Sequence, residues 1–395
     1  MFGYLFERFP SFTQTFCARE VAALRGHGVE APVFSIRNPG EEPIHQAFPN
    51  LGPTTYLPAK FDDLIASDAS FRRAARKGQE LLKAQWGSES EKRRIHESLW
   101  LERACRASKI HHLHTHFAGL SARTAFWLRR QGGPNYSVTA HANDIFRDEP
   151  PERLAQVLGE ATCVVTVSDF SRDYLLREHP HLAGKLHRVY NGIDIARFRK
   201  SPIPGDRPLI VSVGRAIEKK GFCDVIEACG LLHDIDFECV IVGGGPLEEN
   251  LMSQTEALGL QGRVKILGAR AEEDIRELLT RARVFILPCV TGSDGAMDNL
   301  PTVIMEAMAS GIPVISTPLA GIPEMVKDGT TGFLVPERQP AQLADKLRRL
   351  LMDRDLAATQ GAAGWERCRE LFAIERTSAA LLEILETHGA LPARP

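Results

Sequence analysis

Short apolar runs, three to five residues long and separated by stretches of helical spacing, recur through the second half of the chain at 209–213, 239–242, 264–267, 284–287 and 314–316. After the first of them, Phe222, Val225, Ile226 and Cys229 fall on one face of a helix. Runs without alternation are strands covered on both faces, so this half predicts an α/β unit with a parallel sheet. The first half repeats the rhythm less regularly, with strands predicted at 3–6, 32–36, 110–114, 136–140, 163–167 and 187–190. Between the halves, 198–208 (FRKSPIPGDRP) carries three prolines and reads as a linker. The boundaries expected are therefore 1–198 for a first domain and 208–372 for a second. A last amphipathic helix over 373–395 would cross back to the first domain.

The stretch from Asp298 to Glu324 has one charged residue between its ends, Glu306. Pro301 suits a first helical position, where a missing N–H costs nothing. Val303, Ile304, Ala307 and Met308 then supply a wide apolar face. An ionised group there is expensive unless something pairs with it, and a hydroxyl-rich ligand is the expected partner. His116, His141, Ser168 and Asn191 fall at or just after predicted strand ends, as do Gly214-Arg215, Gly243–Gly245, Gly268 and the loop 288–298. Ligands of open parallel sheets bind at that edge. Two such edges facing each other would make a deep cleft.

At 395 residues the chain exceeds what one core usually fills, and its net charge of −2 offers no global attraction to nucleic acid. Eight scattered cysteines without a C-x-x-C pair favour a reducing compartment over a disulfide framework or zinc site. The N-terminus shows no secretory signal and no apolar stretch reaches membrane-spanning length, so a cytoplasmic or peripheral protein is expected. One segment departs from the average. Over 71–109, eleven Lys and Arg face five Asp and Glu, with Arg72, Arg73, Arg76, Lys77 and Lys83 beside Phe71, Leu81, Leu82 and Trp86. A basic amphipathic helix lies on an anionic membrane or forms a solvated face.

In VSVGRAIEKKGF, Arg215 and Lys220 flank a helix start, with Gly214 allowing close backbone approach. Planar donors, a point charge and free N–H groups are what a diphosphate requires. His111, His112, His114 and His116 alternate as on a strand face, but no partner cysteine or carboxylate cluster is evident in the sequence, and no metal site is assigned. His116 reads instead as an acceptor-side residue, while Asp144 is a helix cap or a base. Asp234-Ile-Asp236 and Asp353-Arg-Asp355 mimic a metal-binding D-x-D but read as surface acids.

VGRAIEKKG, VGGGPLEE, ILGAR, ILPC, D-x7-E-AMASGIPVISTPLAGIPEMV and DGTTGFLV, with FPSFTQTF, HLHTHFAG, TAHANDIF, TVSDFSR and VYNGID before them, resemble the retaining glycosyltransferases of family four. The first set of these that precedes the linker is similar to the subgroup that builds bacterial surface polysaccharides, such as the colanic-acid transferases. The resemblance implies the GT-B fold, two Rossmann-like domains, and transfer of a sugar from a nucleotide-diphosphate sugar to a lipid-linked or polysaccharide acceptor. It implies no metal and no cofactor, Arg215 and Lys220 neutralising the departing diphosphate. Glu306 matches the glutamate that holds the ribose, and His141 the histidine near the donor sugar and reacting centre. Asp298, Asn299 and Leu300, with Thr302 after Pro301, match the loop whose backbone N–H groups hold sugar hydroxyls and phosphate. Leu267 and Gly268 lie where the base sits. The sequence departs from the pattern at Asp298, usually glutamate, which shortens the reach by on the order of 1.5 Å. Thr13-Gln14-Thr15-Phe16 stands for S-E-T-F, so Thr13 and Thr15 are acceptor-side candidates. Rival readings are another GT-B enzyme, such as a sugar-nucleotide epimerase, and a nucleotide-sugar-binding protein that has lost catalytic power.

Overall fold

Alternation in the first strand explains how its unit is layered. In β1 (Phe2–Arg8), Phe2, Tyr4 and Phe6 join one apolar cluster and Leu5 joins the cluster on the opposite face. In this computed structural model, residues 1–40, 51–58, 63, 66, 68–86, 89–198 and 207–392 are described. Most of the proline-rich segment read as a linker, 199–206, lies outside the described residues. The chain divides into two units, one comprising Met1–Val167, Ser171–Val189 and the residues from Ser378 on, the other Ser168–Phe170 and Tyr190–Thr377.

The first unit holds β1, β2 (Val33–Arg37), β3 (Thr54–Tyr56), β4 (His112–His116), β5 (Asn135–Ala140), β6 (Val164–Thr166) and β7 (Leu186–Arg188), all parallel, in the order β3-β2-β1-β4-β5-β6-β7. Helix Thr15–Gly26 covers the Tyr4 face, joined by Leu381, Leu382 and Leu385 of the last helix. The other face packs on Phe126, Trp127 and Leu128 of helix Leu120–Arg130. The second unit holds β8 (Leu209–Val213), β9 (Glu238–Val242), β10 (Val264–Ile266), β11 (Val284–Leu287), β12 (Val314–Ser316) and β13 (Gly332–Leu334), also parallel, in the order β10-β9-β8-β11-β12-β13.

In each sheet the strand order reverses direction once, at β1/β4 and at β8/β11. Such a reversal opens a crevice at the carboxyl edge, because the two flanking crossovers run to opposite sides. Sequence and structure differ in detail. The strand predicted at 110–114 lies at His112–His116, because Ile110 N–H bonds back to the Cys105 carbonyl and still belongs to the preceding helix turn. Pro301 is the cap of helix Thr302–Ala309 rather than its first residue, its ψ of 113° being extended. β3 and β13 are not among the strands expected from the sequence.

Candidate functional site

In the second unit the loop after β8 closes on a short 3-10 turn, Glu218–Lys220, that ends in Gly221. Gly221 has φ 67°, and a Cβ there would stand 1.9 Å from the Pro288 carbonyl oxygen, so only glycine fits. This turn brings two adjacent lysines to one carboxylate. Lys219 Nζ lies 2.7 Å from Asp298 Oδ1, and Lys220 Nζ bonds Oδ2 of the same residue. A Cβ at Gly214 would come within 3.1 Å of the Lys220 stem, so any larger residue there would push the lysine aside by a few tenths of an ångström. Burial works to raise the Asp298 carboxyl, but Lys220 and Lys219 outweigh it and hold it well below the usual carboxylate range. Burial likewise opposes the Lys220 charge, and Asp298 restores it, leaving the ammonium above its ordinary value.

Arg215 is exposed and adds its charge to the field at Lys220. Three cations against one carboxylate leave this cluster net positive by two charges. The cluster sits at the carboxyl ends of β8 and β11, the reversal point of the sheet. Next to it in sequence, Asn299 is buried and its Oδ1 accepts from Ser168 Oγ at 2.7 Å. Leu300 is buried, Thr302 opens the helix, and Glu306 lies on that helix at 5% exposure among fully buried Ile304, Met305, Ala307 and Met308. Leu267 and Gly268 follow β10, the Gly268 carbonyl accepting from Gly243 N–H at 2.8 Å.

In the first unit the carboxyl ends of β1, β4 and β5 carry a second polar cluster. His112, His114 and His116 share a face of β4 with the rings of Phe2, Tyr4 and Phe6. The sequence showed no acid or thiol beside them, but helix Thr15–Gly26 sets Glu20 and Cys17 over that face. Glu20 Oε1 accepts from Tyr4 O–H at 2.9 Å and lies 2.9 Å from His116 Nε2. His116 Nδ1 in turn lies 3.0 Å from His141 Nε2. Burial would raise the Glu20 carboxyl, yet His116 above all holds it below the ordinary range. Burial would discharge His116, yet Cys17 and Glu20 raise it well above the ordinary imidazole value. His141, buried beside that charge, is pushed well below. Burial also takes His114 down to about 3 and His112 to about 4.

Glu20, His114 and His116 offer atoms close enough together for a cation, all within 4.8 Å of one another. Their nitrogens are committed, however: His114 bonds Ser137 Oγ and Thr139 Oγ1, and His116 bonds Glu20 and His141. The cluster is therefore better suited to moving or fixing protons than to holding a metal.

Two expectations are corrected here. His116 is 1% exposed, with both ring nitrogens bonded to protein, so it meets no acceptor directly. Asp144 is neither a base nor the cap of its own helix. Its oxygens accept backbone N–H from Ala118, His141 and Ala142, fixing the loop that carries His141, and burial raises its carboxyl. Within 71–109, Glu91, Arg94 and Glu97 are buried, Arg94 pairing with Glu97 and Glu91 with Arg123 of the next helix. Of the TQTF segment, Thr13 is exposed and Thr15 opens the helix, while the Phe16 ring lies tilted at 43° to the His141 ring, their centroids 4.7 Å apart. Phe16 and Glu20 are four apart, and that spacing was the available signal for Glu20. The D-x-D mimics are surface acids: Asp234 pairs with Arg348, Asp236 with Arg207, and Asp353 caps a helix.

Comparison with known proteins assigns this arrangement. The family described as Glycosyltransferase Family 4 matches residues 13–197, and Glycosyl transferases group 1 matches 194–367. The alpha-maltose-1-phosphate synthase of Mycolicibacterium smegmatis is 31% identical over 315 residues, 70% of this chain and 79% of its own length. This chain belongs to glycosyltransferase family four. The glycosyltransferase is also 29% identical to WcaL of Escherichia coli (strain K12), named for colanic acid biosynthesis, over 97% of this chain and 99% of WcaL. Among solved structures, HepE of Anabaena in complex with UDP matches at TM-score 0.73 and 19% identity, over 98% of this glycosyltransferase and all of HepE. That likeness speaks for the fold, which is GT-B. Among the described residues no helix is long and apolar enough to cross a membrane.

Proposed function

We propose that this glycosyltransferase moves a sugar, with retained configuration, from a nucleoside-diphosphate sugar to a lipid-linked or polysaccharide acceptor in surface-polysaccharide synthesis. The observation that carries the donor class is the cluster of Arg215, Lys219, Lys220 and Asp298 at the β8/β11 reversal. Its surplus of two positive charges matches a doubly ionised pyrophosphate, and it gains further as the leaving group takes on charge. Arg215 and Lys220 hold the diphosphate, Glu306 the ribose and Leu267-Gly268 the base. The N–H groups of 298–302 and the imidazole of His141 hold the sugar. Thr13 and Thr15 belong to the acceptor side. The protein supplies position and charge rather than a covalent nucleophile.

Isothermal titration against a panel of UDP-, GDP-, ADP- and dTDP-sugars in EDTA tests this. One donor should bind and slowly release its nucleoside diphosphate without divalent metal. A panel with no binder, or turnover that needs metal, would sink the reading.

The exposed cations of helix Ala69–Gln85 support a place at the inner face of an anionic membrane. Phe71, Ala75 and Leu82 are buried in the unit while Arg72, Arg73, Arg76, Lys77 and Lys83 point outward. Cosedimentation with phosphatidylglycerol vesicles should be strong at low salt and weak at high salt. Reversing Arg72, Arg73, Arg76 and Lys77 to Glu should abolish it, and binding that survives the reversal refutes the membrane role.

A further inference from the structure

A contact of 3.0 Å between two imidazole nitrogens requires one N–H and one lone pair, so His116 and His141 have linked protonation states. The groups that face His116 are Tyr4 on β1, Cys17 and Glu20 on helix Thr15–Gly26, His114 on its own strand and His141 after β5. Asp144 lies close by but spends its oxygens on backbone N–H groups. Glu20 is the carboxylate among these, and its Oε1 lies 2.9 Å from His116 Nε2, while the Cys17 thiol acts on His116 in the same direction. The His141 ring lies against Phe16 and Phe117.

We propose that Glu20, acting through His116, fixes His141 in the tautomer that carries its proton on Nδ1, making His141 a neutral hydrogen-bond donor rather than a base. Glu20 accepts from Nε2–H of a protonated His116. The second proton of His116, on Nδ1, is donated to the His141 Nε2 lone pair, which leaves the His141 proton on Nδ1. Glu20 and His116 are thus positioning residues, and the proposal rests on the reading above that His141 contacts the donor sugar. The direction of the His116 shift agrees, since burial alone would have discharged it. As pH rises through the elevated His116 value, His116 loses its Nδ1 proton. His141 must then supply the shared proton from Nε2, and its Nδ1 turns from donor to acceptor.

Long-range 1H–15N correlation spectra of histidine-labelled protein decide the matter in the wild type alone. The His141 signals are assigned by their loss in His141→Asn. His141 should show a protonated Nδ1 and a bare Nε2 at neutral pH, with both His116 nitrogens protonated. A proton on His141 Nε2 overturns the proposal, whatever any variant does. Glu20→Gln keeps an oxygen for His116 and Tyr4 but removes the charge. It should move the His141 proton to Nε2 and lower kcat roughly 10- to 100-fold, the worth of one well-placed donor. The donor KM should stay within about twofold, and the alkaline limb of the kcat profile should move to lower pH. An unmoved tautomer in Glu20→Gln refutes the relay. A moved tautomer with unchanged kcat leaves the relay standing but refutes the sugar contact of His141 on which its use depends.

Discussion

Replacing Asp298 with alanine is expected to lower stability by about 3–5 kcal/mol, the usual cost of removing one partner from a buried ion pair. Two ammonium groups, 10% and 13% exposed, would lose their shared counterion and face each other at short range. The pH dependence has a definite sign. The Asp298 carboxyl is depressed in the fold, so its contribution is complete above the unfolded carboxylate value near ~4 and fades as pH falls toward the folded one. The Lys220 ammonium is raised, so its contribution is complete below the unfolded value near ~10 and fades as pH climbs through the folded one. The wild-type advantage should therefore be flat between roughly pH 5 and 9. The same variant should gain more from nucleoside diphosphate than the wild type does, because the ligand supplies the missing negative charge. Turnover should nonetheless fall, as the loop that carries Asp298 loses its tether to the lysines. Urea denaturation with and without UDP or GDP measures both effects. An unchanged midpoint, or a smaller gain from nucleotide than in the wild type, would show that Asp298 is not the counterion.

What made this pair hard to read from the sequence is instructive. Adjacent residues diverge on regular structure, so the sequence assigns a role to Lys220 and none to Lys219. Their convergence depends on the 3-10 turn and on the left-handed Gly221, which are legible only when the Pro288 carbonyl is seen to fill the space of a side chain. By contrast β8, β11 and β12 announce themselves, because strands buried on both faces need unbroken apolar runs. β3 is partly exposed and rich in threonine, and β13 starts with glycine, so neither has the length or composition that marks a strand. Strand order has no local signature at all. It is the order that places Gly214-Arg215 beside the loop after β11, and His116 beside the end of β1. The family motifs pointed to Arg215, Lys220, Glu306 and His141 as single residues. What they did not convey were the groups that set the charge of those residues, Lys219 beside Asp298 and Glu20 behind His116, because these act across elements far apart in the chain.

Glu306→Ala is expected to weaken nucleoside-diphosphate binding on the order of 10²–10³-fold, since each charge-assisted hydrogen bond to a ribose hydroxyl contributes roughly 1.5–3 kcal/mol. A carboxylate at 5% exposure on an apolar helix costs desolvation, and ribose hydroxyls that donate to it would offset part of that cost in the bound state. The alanine variant also opens a small void, so affinity and stability must be separated. Glu306→Gln keeps the volume and one accepting oxygen while losing the charge. It should keep the unfolding midpoint within about 1 kcal/mol of wild type, as volume-conserving changes do. Its affinity should fall roughly 10-fold, the loss of charge assistance from one bond. Titration of UDP or GDP into both variants, with melting curves taken without nucleotide, distinguishes a ribose contact from a packing residue. If both variants bind as tightly as wild type, Glu306 does not hold the ribose. The lysine cluster around Asp298 would then have to bind its anion without help from the helix that follows it.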